Sequence, residues 1–235
     1  MHTLSLEGLK PDAIPQLDSV LAAAKALLED IPSGWRQGRE YHGVKTSSRS
    51  PWFSRTSLHS PADGTFDEFW DCLGVNHSVH EQQYIPEIQS AVSLGTFGAF
   101  EGWSLLYKFS PPLSNRIFTL LIASVLEDTE PRQGYVISLP FDVGCSFAWF
   151  INPGSRTKVS TNEELKNKEP KGVRGRYVSV ERVRELDGQV EWTMATMSNP
   201  GGMVPLFLSN SQMPSKIAED VPHVLEWLKG KRVIH

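Results

Sequence analysis

Gly172-Val-Arg-Gly-Arg-Tyr-Val-Ser-Val-Glu-Arg-Val-Arg-Glu-Leu186 runs into Asp187-Gly188 and then Gln189-Val-Glu-Trp-Thr-Met-Ala-Thr-Met-Ser198. An Asp-Gly pair between two strand-like runs is a hairpin signal, because a type I′ turn needs positive φ at both central positions. The second strand stops at Asn199-Pro200-Gly201-Gly202, where proline removes a ladder donor and glycine permits a corner. Beyond it, Ile217, Val221, Val224, Leu225 and Leu228 draw one stripe on a helix. A long hairpin feeding a C-terminal amphipathic helix, placed at about 203–229, is therefore the organising unit.

Upstream, residues 12–30 carry Leu17, Val20, Leu21, Ala24, Leu27 and Leu28 at helical spacing, ahead of Pro32-Ser33-Gly34. Residues 35–48 are polar and poorly alternating, and read as an edge strand or an extended arm. Trp52–His59 is a strand, and Thr65-Phe-Asp-Glu68 is a capping box opening a short helix with Phe66, Phe69, Trp70 and Leu73 on one side. A further helix is expected at about 79–88, then strands at 102–109, 116–127 and 135–139. The connection 143–171 is aromatic at first (Phe147, Trp149, Phe150), then rich in Lys and Glu, and its length suggests a lid. The sum is an α+β class: a curved antiparallel sheet wrapped around a final helix, in one domain over 1–235, with an apolar cavity between sheet and helix.

Composition bounds the function. A net charge of −4 with Lys and Arg dispersed gives no footprint for nucleic acid. No apolar run approaches the ~20 residues that span a bilayer. The first residues lack the basic flank and apolar core of an export signal, and Cys72 and Cys145 make no disulfide framework, so the expected setting is cytoplasmic. Seven tryptophans and eleven phenylalanines suit a large core or an apolar ligand.

Several residues resemble a known superfamily. Asn115-Arg116-Ile117-Phe118 after Pro111-Pro112, Gly134-Tyr135-Val136-Ile137, the basic strand 174–184 and above all Asn199-Pro-Gly-Gly-Met-Val-Pro-Leu-Phe-Leu-Ser-Asn210 are similar to StAR-related lipid-transfer (START) domains. The last run looks like the Asp-Pro-x-Gly-x-Ile-Pro-x-x-Leu-x-Asn passage into their C-terminal helix. Within that superfamily the chain looks most like uncharacterised START-like proteins of filamentous fungi, several of which accompany secondary-metabolite pathways. The resemblance implies a helix-grip fold holding a hydrophobic small molecule. It leaves the chemistry open, since the same fold hosts polyketide cyclases and hydrolases. Some sterol-binding members carry a buried arginine six residues beyond the first one, where this chain has Ile122.

Candidate residues follow from strand alternation. Phe118, Leu120, Ile122 and Ser124 share a face with Arg116, which as a buried cation would need a carboxylate such as Glu101 or a ligand anion; a solvated strand end is the plainer alternative. Trp103, Tyr107, Tyr135 and Trp192 join the ligand-lining set, with Met194, Met203 and Leu206 near the corner; plain core packing explains each of them about as well. Were the protein a cofactor-free cyclase or isomerase of a polyketide- or terpenoid-derived intermediate, Tyr107, Arg116, Glu101 and His59 would be the residues to test. No cofactor is called for. His77, His80 and Glu81 lack a third ligand placed by sequence, so no metal is expected, and no Gly-x-Ser-x-Gly elbow exists. Arg174, Arg176, Arg182 and Arg184 alternate on one strand and read as a solvated outer face, with transient contact to an anionic membrane as the minor alternative.

Overall fold

The computed structural model describes residues 4–109, 114–143, 162–202 and 206–233. Its elements in chain order are α1 (Leu17–Gly34), β1 (Arg36–Tyr41), β2 (Val44–Arg49), β3 (Trp52–His59), α2 (Phe66–Leu73) and α3 (His77–Tyr84). There follow β4 (Ile88–Phe97), β5 (Phe100–Tyr107), β6 (Arg116–Glu127), β7 (Gln133–Pro140), α4 (Asn162–Lys168), β8 (Val173–Arg174), β9 (Arg176–Leu186), β10 (Gln189–Asn199) and α5 (Leu206–Val233). Nine strands form one antiparallel path in the order β1-β2-β3-β10-β9-β7-β6-β5-β4, and β8 adds a short parallel pairing to β6.

The hairpin that organises the sequence is the middle of this sheet. Asp187 and Gly188 turn at φ 49° and 76°, and β9 pairs with β10 from Leu186↔Gln189 to Arg176↔Asn199 without a slip. At the corner Gly201 has φ 66°, and a Cβ there would fall 2.0 Å from the Arg174 carbonyl oxygen. Only glycine fits that approach.

Alternation assigns the two sheet faces. On one, Phe118, Leu120, Ile122, Val136, Val183 and Trp192 pack with α2 and with Ala218, Val221, Val224 and Leu228 of α5. On the other, Leu121, Ile137, Leu139, Val180 and Ala195 are covered by Val20, Ala24 and Leu28 of α1. Strands β1, β2 and β3 curl round to touch α5 as well, so the sheet grips the helix. This is the helix-grip arrangement that the resemblance implies.

Differences from the expected elements have local causes. The first helix begins at Leu17, after Gln16 in extended backbone (φ −68°, ψ 134°), and it runs to Gly34, carrying Pro32 in its last turn. The polar stretch 36–49 is a hairpin, turned by His42 and Gly43 at φ 53° and 76°. Strand β4 was absent from the expected list; it is the sheet's edge and is interrupted by two register shifts against β5. Its half-exposed positions leave little alternation to read. The helix expected at 79–88 starts two residues earlier, after Asn76 in the left-handed region, and ends before Pro86. Part of the expected lid, together with Cys145, Phe147, Trp149, Phe150 and Met203, lies outside the described residues; the remainder contains α4, and β8 follows it. No helix among the described residues is long and apolar enough to cross a membrane.

Candidate functional site

Between the inner sheet face and α5 lies a cavity of about 520 Å³. Its walls come from β3, α3, β5, β6, β9, β10 and α5, and three layers of chemistry line it.

The first is aromatic and apolar. Phe118 stands between Tyr107 and Tyr177, each ring centre 5.2 Å from its own, with Met194 and Ile217 on facing elements. Burial drives the Tyr107 and Tyr177 hydroxyls well above the ordinary tyrosine pKa, so both stay protonated and can donate.

The second is an ionic cluster. Arg55 on β3 is 1% exposed, and its guanidinium lies over the Trp192 ring at 3.7 Å from the centroid. Its Nη2 is 3.7 Å from Glu181 Oε2 and 3.8 Å from Asp220 Oδ2, while Trp192 Nε1 donates to Glu181 Oε2 at 2.8 Å. Desolvation raises Asp220 to about 7 against the opposing pull of Arg55, with Glu181, Glu81 and Glu87 adding to the rise.

The third is set by α3. His77 Nδ1 donates to the Leu73 carbonyl at 2.7 Å, since a carbonyl can only accept, and Nε2 then faces Glu81 Oε2 at 3.8 Å. The Tyr107 hydroxyl donates to Glu81 Oε1 at 3.4 Å. Burial raises the Glu81 pKa, with His77 and the Tyr107 bond working against it and Glu181 with it. Among the described residues no cluster of three or more His, Cys, Asp or Glu side chains suits a metal.

The sequence-derived candidates fall into three groups. Tyr107, Arg116, Phe118, Trp192 and Met194 are in the cavity wall. Leu120 and Ile122 lie on the same sheet face but are sealed in the core. Trp103 packs at the margin of that core and donates through Nε1 to the exposed Glu101 at 2.9 Å, so neither reaches the cavity. Tyr135 is a correction of face: odd-numbered positions of β7 point outward, and its ring packs in the α1 layer under Lys25. His59 is also corrected. It is 3% exposed, bonded to Ser57 Oγ at 2.8 Å and 4.7 Å from the Phe69 ring, away from the cavity lining. Met203 and the Leu206 side chain lie outside the described residues.

Arg116 is buried, but Glu101 is not its partner. Its Nε donates to the Pro200 carbonyl at 2.8 Å and Nη1 donates to the Ser114 carbonyl, so backbone carbonyls take the place of a carboxylate as its acceptors. Arg55, Glu81, Tyr177, Glu181 and Asp220 were not among the candidates. Strand parity held the signal for two of them: if Arg174, Arg176, Arg182 and Arg184 face outward, Tyr177 and Glu181 face inward.

A family model described as "Protein of unknown function (DUF3074)" matches residues 52–228. No curated protein matches the chain. Among solved structures, human STARD10 is similar, with 9% identity, a TM-score of 0.65 and coverage of 92% of this chain and 80% of that one. Human StAR-related lipid transfer protein 5 gives 14% identity and a TM-score of 0.63 over 92% of this chain and all of that one (100%). A STAR-related lipid transfer protein from Xanthomonas axonopodis gives 15%, a TM-score of 0.60, and coverage of 84% and 99%. At such identities the likeness is one of fold, and the fold is that of the START structural superfamily.

Proposed function

For a chain that belongs to the DUF3074 family and has the START helix-grip fold, we propose that the cavity binds a hydrophobic small molecule, lipid, sterol-like or polyketide-like, for carriage in the cytosol. The observation that carries this reading is the cavity of about 520 Å³, enclosed by Phe118, Tyr177, Met194 and Ile217. Apolar surface left open to water inside a folded domain costs stability, and a hydrophobic guest removes that cost. The names of the StAR-related structures describe lipid transfer by those proteins and agree with such a guest here.

Organic-solvent extraction of the purified protein followed by mass spectrometry tests the idea, together with titration by the neutral dye Nile red. A co-purifying hydrophobic molecule, or saturable dye fluorescence with a rise in thermal midpoint, is expected. A protein that yields no such molecule and takes up no dye would overturn it.

A second reading, a cofactor-free cyclase or isomerase of a polyketide- or terpenoid-derived intermediate, is favoured by one observation. Two carboxyls, of Glu81 and Asp220, have raised pKa values and stand in a cavity that also holds the Tyr107 hydroxyl. A carboxylic acid kept protonated can donate to a carbonyl oxygen while a second one accepts a proton. Tyr107 and Arg116 stay in this reading, joined by Glu81 and Asp220, and Glu101 and His59 leave it. Incubating a β-polyketone with the protein in deuterated water checks it. Faster α-proton exchange than in buffer, lost in Glu81→Gln and Asp220→Asn, is expected; exchange at the buffer rate would remove the reading.

A further inference from the structure

The lining of the cavity is unbalanced in charge. Five carboxyls, from Glu81, Glu87, Glu181, Glu219 and Asp220, share it with three permanent cations, Arg55, Arg116 and Lys216. Two of those cations are engaged elsewhere: Lys216 pairs with Glu219 at 2.8 Å, and Arg116 donates to two backbone carbonyls. At the inner end Arg55 alone faces Glu181 and Asp220. His77 and His223 are the other titratable cation-forming groups in the wall.

The cavity wall holds polar atoms that the chain itself leaves short of hydrogen bonds. Arg55 is 1% exposed, yet its Nε and Nη1 have no hydrogen-bond partner, and Glu81 Oε2 has only His77 Nε2, 3.8 Å away. Buried polar groups are nearly always paired, so the Glu81 oxygen calls for a donor from another molecule, while the Arg55 donors call for an acceptor. Asp220 is surrounded by protein, but 31% of its side-chain surface remains open, and it lines the cavity. The rings of Tyr107, Phe118 and Tyr177 line the same cavity and offer π-electron density to a cation.

We infer that the cavity's guest is an amphiphile whose polar end is a positively charged amine, held between Asp220, Glu81 and the aromatic wall. Its hydrocarbon body lies along Phe118, Met194 and Ile217. This rests on the binding reading above and supplies its ligand class. An anionic head would be repelled by Glu181 and would push Glu81 and Asp220 further towards their neutral forms. A neutral hydroxyl would satisfy Arg55 but leave both carboxyls raised. A cation favours the ionised form of both.

Three chain-matched probes separate these cases: dodecylamine, dodecanol and dodecanoic acid, titrated calorimetrically into the solvent-extracted full chain. Dodecylamine is expected to bind about tenfold tighter than dodecanol at pH 8 and to release protons as it binds. Its affinity is expected to fall about tenfold by pH 5.5, as Asp220 becomes protonated, while that of dodecanol stays level. Asp220→Asn is expected to remove most of the pH dependence for dodecylamine, Glu81 supplying the remainder. Equal binding of amine and alcohol, or preference for the acid, overturns the amine assignment and leaves the binding reading standing. Binding of none of the three overturns both. Should Asp220→Asn fail to fold, the wild-type series still decides.

Discussion

Arg55 is the residue on which most of the buried polar structure depends. Its guanidinium compensates Glu181 and Asp220 and covers the face of Trp192. Removing one partner of a buried ion pair strands the other charge, at a cost of about 3–5 kcal/mol. Arg55→Ala is expected to lose stability of that order in urea unfolding, and Glu181→Gln in the same chain to recover part of it. Asp220 gives a pH signature. Its folded pKa of about 7 lies above the ordinary value, so between those limits the folded state binds more protons than the unfolded one. Stability from this group is therefore greatest below the ordinary carboxylate range and is lost as pH rises toward 7. Asp220→Asn removes that loss, and its thermal midpoint relative to the parent is expected to be higher at pH 8 than at pH 4.5. Part of this was legible beforehand. The alternation that sent Arg182 outward sends Glu181 inward, but nothing local pairs Glu181 with Arg55 and Asp220, which reach it from two other elements.

At the scale of elements, what could be read was what is encoded within a few residues. The Thr65–Glu68 capping box forms as its spelling requires: Glu68 N–H donates to Thr65 Oγ1, and Thr65 N–H donates back to Glu68 Oε2. The structure adds a distant partner, because Arg232 near the end of α5 donates to both Glu68 oxygens and to the Ala62 carbonyl. That contact holds the Glu68 carboxyl down at about 2 and ties the last helix to the start of α2. Thr65→Ala is expected to cost about 1 kcal/mol in denaturant unfolding, the usual value of an N-cap hydroxyl. The Asp187-Gly188 hairpin was equally legible. The His42-Gly43 hairpin was not, because β1 is exposed along most of its length and so leaves no alternation to flank the turn. Edge strand β4 escaped for a related reason. An element whose faces are not sharply buried and exposed leaves no period-two trace in the chain.

For the molecule as a whole, the stripe on α5 and the inner face of the hairpin predicted a helix gripped by a sheet. They could not predict how well the two surfaces meet. Val224 and Leu228 close against the sheet and α2, whereas Met213, Ile217 and Asp220 border open space. The difference lies in short side chains on β9 and β10, among them Ser179, Thr196 and Ser198. Filling that space is a direct test of its use. Tryptophan at Met194 and Ile217 together projects two large rings into the cavity rather than into packed core, where added volume would cost about 1–3 kcal/mol. The double variant is expected to keep or raise the thermal midpoint of the extracted protein while losing Nile red uptake. Dye binding at parental strength would place the apolar site somewhere other than between the sheet and α5.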